Sequence, residues 1–237
     1  VNDSGAAETV AQIANGGGAA VAVHLGVPSS NEVDGVLDRV LTAHGRLDVV
    51  VNNAGVLDNM GPVGEITDEE WSRVLGVNLT GAFNVSRRVI EPLTATGGNL
   101  VNVASIAGLA GGRAGTAYTI SKHGVIGLTR SIAWMYAETG VSCNAVCPGA
   151  VVTNVGQSIS SGVSESGAHR LSGVLATMVR PGAPVEVAAV VAFLASPAAS
   201  LVNGSIVVAD AGWMADTQPA GLRQARRSPR ACRAATN

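Results

Sequence analysis

Five short apolar runs, set apart by amphipathic stretches, constrain the fold of this chain more than any other feature. "AAVAVHLGV" (19–27), "LDVVVNNAG" (47–55), "NLVNVAS" (99–105), "VSCNAVCPG" (141–149) and "GSIVVADAG" (204–212) are rich in β-branched residues, lack a strict period of two, and end in small or turn residues. Runs of this kind read as strands buried on both faces. Helical patterns separate them over 4–15, 31–44, 67–91, 116–138 and 184–195. Strand and helix in alternation impose right-handed crossovers and a parallel sheet covered on both sides, the α/β class. Ligands of such sheets bind beyond the carboxyl ends of the strands, so the polar residues there carry most weight.

With 237 residues, 47% of them hydrophobic, the chain can bury a full core, and its length suits one α/β domain over 1–216. The remainder, 217–237, holds five arginines (223, 226, 227, 230 and 233) and no acid, which leaves 1–216 with a charge of −7. Its Pro, Ser and Ala content reads as a disordered appendage, with an arm for an anionic partner as the alternative. The domain itself lacks the basic footprint of a nucleic-acid binder. Three cysteines (143, 147 and 232) form no metal-spaced cluster and suit a reducing compartment, and the four histidines are scattered, so no metal site is expected. "VAAVVAFLA" (187–195) is too short for a membrane span, and no signal peptide opens the sequence. A cytoplasmic protein is expected.

Two glycine-containing segments need separate readings. "NGGGAA" (15–20) follows a helix and precedes an apolar run, so it reads as a helix C-terminal turn rather than a phosphate loop. Residues 154–180, rich in Ser and Gly and weakly patterned, suit a mobile lid, or an ordinary surface loop.

Lys122 is the only lysine among fifteen basic residues. Lysine is a compact charge whose pKa moves on burial, whereas arginine stays charged and forks its donors in a plane. Four residues earlier stands Tyr118, one of two tyrosines, and on a helix i and i+4 share a face. An ammonium one turn from a phenol favours phenolate and would draw the tyrosine pKa toward neutrality, an acid–base device. Three strand ends converge on the same edge: Asn52-Asn53-Ala54-Gly55, Ser105, and Cys147-Pro148-Gly149 with Thr153 just beyond. "VASIAG" is not a G-x-S-x-G elbow and has no His–Asp partnership, which disfavours a nucleophilic serine. His123 follows Lys122 on a different face, as a structural or solvated residue.

"NNAG" (52–55), "VNLTGAF" (77–83), "VNVASIAG" (101–108), "YTISK" (118–122) and "CPGAVVT" (147–153) together resemble, in order and spacing, the short-chain dehydrogenase/reductase family over nearly all of 1–215. That resemblance implies a Rossmann-like doubly wound sheet and an oxidoreductase that moves a hydride between NAD, or NADP, and a secondary alcohol or ketone. It assigns Tyr118 as general acid/base and Lys122 to the nicotinamide ribose and to tuning Tyr118. Ser105 would orient the substrate oxygen, and Asn78 would support a proton-relay water. Asn53, Ala54 and Gly55 would line the cofactor cleft, with Pro148, Gly149, Val151 and Thr153 beside the nicotinamide. Homodimers or homotetramers are implied, and Ile126, Trp134, Met135 and Tyr136 offer apolar surface for them.

The sequence departs from the family at its start. The family opens with a strand, a glycine-rich turn and a helix whose amides hold the pyrophosphate, and none of these is present. "VND" (1–3) resembles the end of the family's second strand, which makes Asp3 the acid for the adenosine ribose and favours NAD. After the next run an expected Asp is replaced by Gly26, and the backbone of Val27 is left to meet the adenine. A sheet without its first strand would carry two unpaired edges. Two other readings compete: a reductase of carrier-bound 3-oxoacyl chains, docking on Arg113, Arg130, Arg170 or Arg180, and a non-catalytic remnant that only associates with homologues.

Overall fold

The computed structural model describes residues 3–160 and 162–215. Four parallel strands lie in the order β1 (Val49–Asn52), β2 (Asn99–Val103), β3 (Ser142–Pro148) and β4 (Ile206–Ala209). Val51 sits opposite Val101, and Val101 opposite Asn144, so the carboxyl ends of β1, β2 and β3 finish level. Among the described residues, seven α-helices accompany them: α1 (Asp3–Asn15), α2 (Ser30–His44), α3 (Asp68–Leu75), α4 (Gly81–Thr96), α5 (Thr116–Met135), α6 (Glu165–Leu175) and α7 (Pro184–Leu194).

Burial of the central strands on both faces explains their unbroken apolar character. Leu100 and Cys143 face Val33 and Leu37 of α2, Val89 and Leu93 of α4, and Ile132 of α5. Ala145 and Cys147 continue that face against Val125 and Ile126 of α5. Val101 and Val146 turn the other way, onto Leu194, Val187 and Val191 of α7. A polar chain runs through the α4/α5 side. Asn52 donates to Asn102 Oδ1 at 2.9 Å and to Ser86 of α4 at 3.2 Å, and Asn102 donates to Thr129 of α5 at 2.8 Å. Buried amides linked in this way fix the placement of both helices, because breaking one bond leaves another group unsatisfied.

Local signals set most helix ends. Ser29, Thr67 and Ser164 accept the amide protons of Glu32, Glu70 and Gly167 as N-caps of α2, α3 and α6, and Gly45 ends α2 in the left-handed region. The "NGGG" turn behaves as a helix terminus: Gly16 and Gly18 donate to the Ile13 carbonyl, and Gly17 has φ 81°.

Four expectations are corrected. Residues 19–27 form no strand. Their backbone meets no neighbouring strand among the described residues, so only Leu25 and Val27 reach the core while Val21 stays 79% exposed. Asp3 begins α1 instead of ending a strand, because the helical pattern that follows it extends back to this residue. The helix expected over 67–91 is broken by a π-helical turn, Gly76–Thr80, where Gly81 N–H bonds to the Gly76 carbonyl. Its widened register turns Asn78 into the core. The weakly patterned 154–180 contains a 3₁₀ turn, Asn154–Ser158, and the whole of α6, whose Ser164 cap and buried Leu171 were too sparse a signal. The Arg-rich 217–237 lies outside the described residues.

Leu100 is fully buried at the centre of the sheet. Leu100→Ala is expected to cost about 2–5 kcal/mol of unfolding free energy, read from the urea midpoint at unchanged m-value.

Candidate active site

Helix α5 supplies the centre of the site, and the ends of β1, β2 and β3 supply its walls. A cavity of about 860 Å³ is lined by Asn53 and Gly55 after β1, Ser105 after β2, and Tyr118 and Lys122 of α5. Pro148 and Gly149, at and just after the end of β3, with Val151 and Thr153, line it as well. These are nine of the positions singled out in the sequence. Ala54 is exposed and lies off the cavity wall, as does Asn78 beneath it. Val27 packs its side chain over Gly81 at the start of α4, where an added Cβ would meet it at 2.5 Å. The side chain of Asp3 lies outside the described residues.

Lys122 is buried, and its Nζ donates to the Val103 carbonyl at 2.9 Å and stands 5.6 Å from the centre of the Tyr118 ring. Burial holds its pKa down at about 8, opposed by the nearby Cys147. Tyr118 is pushed up to about 12, chiefly by burial, with the hydrogen bond from Ser105 pulling the other way and the charges of Asp58 and Cys147 adding to the rise. This corrects the expectation of a tyrosine drawn toward neutrality. Desolvation outweighs the Ser105 hydrogen bond, so phenol and ammonium are the resting forms at neutral pH.

Ser105 caps a 3₁₀ turn, Ile106–Gly108, its Oγ accepting from Ala107 N–H at 3.1 Å. Gly108 lets that turn lie directly on α5, because a Cβ there would come within 2.6 Å of the Lys122 carbonyl oxygen. Asn78 has both ends of its amide engaged. Oδ1 accepts from Val56 N–H at 2.8 Å, while Nδ2 donates to the Val56 carbonyl at 2.9 Å and to Ser121 at 3.1 Å. It ties the loop after β1 to α5 through its side chain.

The structure adds residues that the motifs did not single out. Val187, Ala188, Val191 and Ala192 of α7 form an apolar wall, and Val155 of the 154–180 segment lines the cavity as well. An apolar run around the whole of α7 was the available signal, since Val187 and Val191 both pack on the sheet and border the cavity. Asp58, fully buried, accepts the backbone N–H of Tyr118 at 2.9 Å. A single acid in a loop gave no sign of this. Among the described residues, no group of three or more His, Cys, Asp and Glu could hold a metal ion, and no helix is long and apolar enough to cross a membrane.

Comparison with known proteins gives the class. A family model described as enoyl-(acyl carrier protein) reductase matches residues 1–214. A 3beta-hydroxysteroid dehydrogenase 2 from Eggerthella lenta is 38% identical over 91% of this chain and 83% of its own. A cyclopentanol dehydrogenase from a Comamonas strain is also 38% identical, over 88% and 82%. Among solved structures, a provisionally assigned NAD(P)-dependent gluconate 5-dehydrogenase from Beutenbergia cavernae, with NADP bound at low occupancy, superposes with a TM-score of 0.76. It is 36% identical, over 88% of this chain and 82% of that one. The chain belongs to the short-chain dehydrogenase/reductase family, NAD(P)-dependent oxidoreductases that act on CH–OH and C=O groups.

Gly108→Ala is expected to push the Ser105 turn away from α5, lowering stability by about 1–3 kcal/mol. Misplacing Ser105 relative to Tyr118 should cost turnover up to about 100-fold. Thermal melts and a cofactor-linked assay check both.

Proposed function

We propose that this protein interconverts a secondary alcohol and a ketone using NAD(P), with Tyr118 as the general acid/base. The observation that carries this reading is the meeting of Tyr118, Ser105 and Lys122 on one cavity wall formed by three strand ends and α5. The residues present fit the nicotinamide–ribose half of the cofactor. Gly55 has no side chain beside Lys122 Nζ, and Asn53, Thr153 and the backbone after Pro148 give polar groups along a flat slot. When bound, the cofactor supplies the hydride acceptor or donor at the nicotinamide carbon.

Ser105 holds the substrate oxygen and Tyr118 exchanges its hydroxyl proton. Lys122 steadies the phenolate through its charge and holds the ribose hydroxyls through its remaining donors. The substrate class is apolar. Lys122 is the only charged residue lining the cavity among the described residues, and Val151, Val155, Val187 and Val191 make up much of its wall. Alicyclic alcohols, the substrates named for two of the relatives, suit such a wall better than sugar acids. A carrier-bound acyl substrate is less favoured, because Arg113 stacks on Trp213 and Arg180 is paired with Glu186.

Association of copies is supported by the end of α5, where Trp134 is 79% exposed beside Met135, while Ile126 and Tyr136 face inward. Light scattering at micromolar concentration tests it.

The enzymatic test is a screen of cyclopentanol, a 3β-hydroxysteroid and gluconate with NAD and with NADP. The alicyclic alcohols are expected to turn over, and Tyr118→Phe to lower kcat by roughly 10²–10⁴-fold. Lys122→Arg should be severely impaired, since a planar fork cannot occupy the space between Gly55 and the Val103 carbonyl. Oxidation needs phenolate and reduction needs phenol, so kcat/KM for oxidation is expected to rise with pH above neutrality while that for reduction falls. Equal rates in Tyr118→Phe and the parent would refute the assignment.

A further inference from the structure

Helix α5 has no cap of its own. Gly115 precedes it without a side chain, and the space where a cap would sit is taken by the Asp58 carboxylate, within 2.5 Å of an added Cβ. Asp58 comes from 60 residues upstream of Tyr118, in the loop after β1. Its Oδ2 accepts Tyr118 N–H at 2.9 Å and its Oδ1 accepts Met60 N–H at 3.1 Å. It is fully buried and forms no ion pair among the described residues. The nearest charges on the neighbouring helix are otherwise engaged, with Glu70 accepting Asn59 N–H at 2.6 Å and Arg73 donating to the Leu57 carbonyl at 2.8 Å. What sustains an unpaired buried carboxylate is the set of amide donors and the positive end of the α5 dipole.

The loop that carries Asp58 is bonded on every side. Leu57 N–H donates to Ser158 at 2.8 Å, Ser164 N–H to the Asn59 carbonyl at 2.8 Å, and Thr116 N–H to the Gly61 carbonyl at 3.1 Å. β1, α3, the 154–180 segment and α5 are all tied to it. We propose that Asp58 is a positioning residue for the reaction, a buried carboxylate that caps the catalytic helix at Tyr118 and places one negative charge beside the group that moves the proton. The proposal rests on the reading of Tyr118 as acid/base. The titratable groups that face Tyr118 are Asp58, Cys147 of β3 and Lys122 on its own helix, with the Ser105 hydroxyl beside them. Of these Asp58 alone is a carboxyl group, and it lies off the cavity wall. Its charge opposes the phenolate and its loss favours it.

Two variants of the full chain separate the cap from the charge. Asp58→Asn keeps the shape and one acceptor, which can serve Tyr118 N–H while the bond from Met60 N–H is given up, and it removes the charge. The oxidation pH profile of kcat/KM is expected to move toward acid by about one unit, the scale of one charge at protein-like dielectric. Asp58→Ala removes the acceptor as well. Amide exchange at Tyr118 should quicken at least ~10-fold and kcat fall by about 10- to 100-fold, with the KM for cofactor little changed. An unchanged pH profile in Asp58→Asn, or unchanged exchange at Tyr118 in Asp58→Ala, overturns the proposal. So does failure of the isosteric Asn variant to fold, which would assign Asp58 to folding alone. If the parent protein turns over no alcohol or ketone, the functional reading fails. The phenolate absorbance titration of Tyr118, isolated by subtracting Tyr118→Phe, then decides: a lower midpoint in Asp58→Asn supports the role of its charge, and an unmoved one ends it.

Discussion

Strands β2 and β3 have no face open to water, and most of this structure follows from that. Their apolar side chains must find apolar partners, so α4 and α5 are required on one side and α7 on the other. Parallel pairing in register brings the carboxyl ends of β1, β2 and β3 level. Ser105, the Asn53–Gly55 turn and Pro148 therefore meet at one edge without any direct attraction among them. α5 crosses beneath that edge because Val125, Ile126 and Ile132 are held against the sheet, and Tyr118 and Lys122 arrive as passengers of that packing. The buried amides of Asn52 and Asn102 remove the freedom to slide.

Desolvation governs the electrostatics of the site. Tyr118 at about 12 and Lys122 at about 8 are both moved by burial toward their neutral forms. Cys147, pushed up to about 11, stays a thiol beside them. Ser105 and the lysine work against that tendency, and Asp58 adds to it on the tyrosine. Such opposed terms leave the protonation state sensitive to any further charge that enters the cavity, a suitable condition for a group that must both accept and release a proton.

The outer edge of β1 is the other consequence of the strand order. It pairs with β2 on one side only among the described residues, and Val49 is 37% exposed along it. The 19–27 segment shares its β-branched composition yet joins no strand among the described residues. Composition can favour a strand, but a strand exists only where a neighbour offers hydrogen bonds in register.

Much of the architecture was legible in the sequence because it depends on local pattern. Four of the five apolar runs are strands, and the helices over 31–44, 116–138 and 184–195 differ from their observed bounds by at most a turn. Caps at Ser29 and Thr67, and the glycine turn after α1, are written in neighbouring residues. The cavity residues at strand ends were likewise visible because strand ends in a parallel sheet share one edge, and Tyr118 and Lys122 because i and i+4 share a helix face. What only the tertiary structure decided depends on contacts between distant segments. The strand that failed at 19–27 joined no neighbour among the described residues, the π-helical turn answered to Val56 and Ser121, and the burial that raised the Tyr118 pKa exists only in the folded chain. Asp58 is the clearest case. One acid in a loop carries no signal of its own, and its place under Tyr118 exists only because β1 and α5 are brought together by the core.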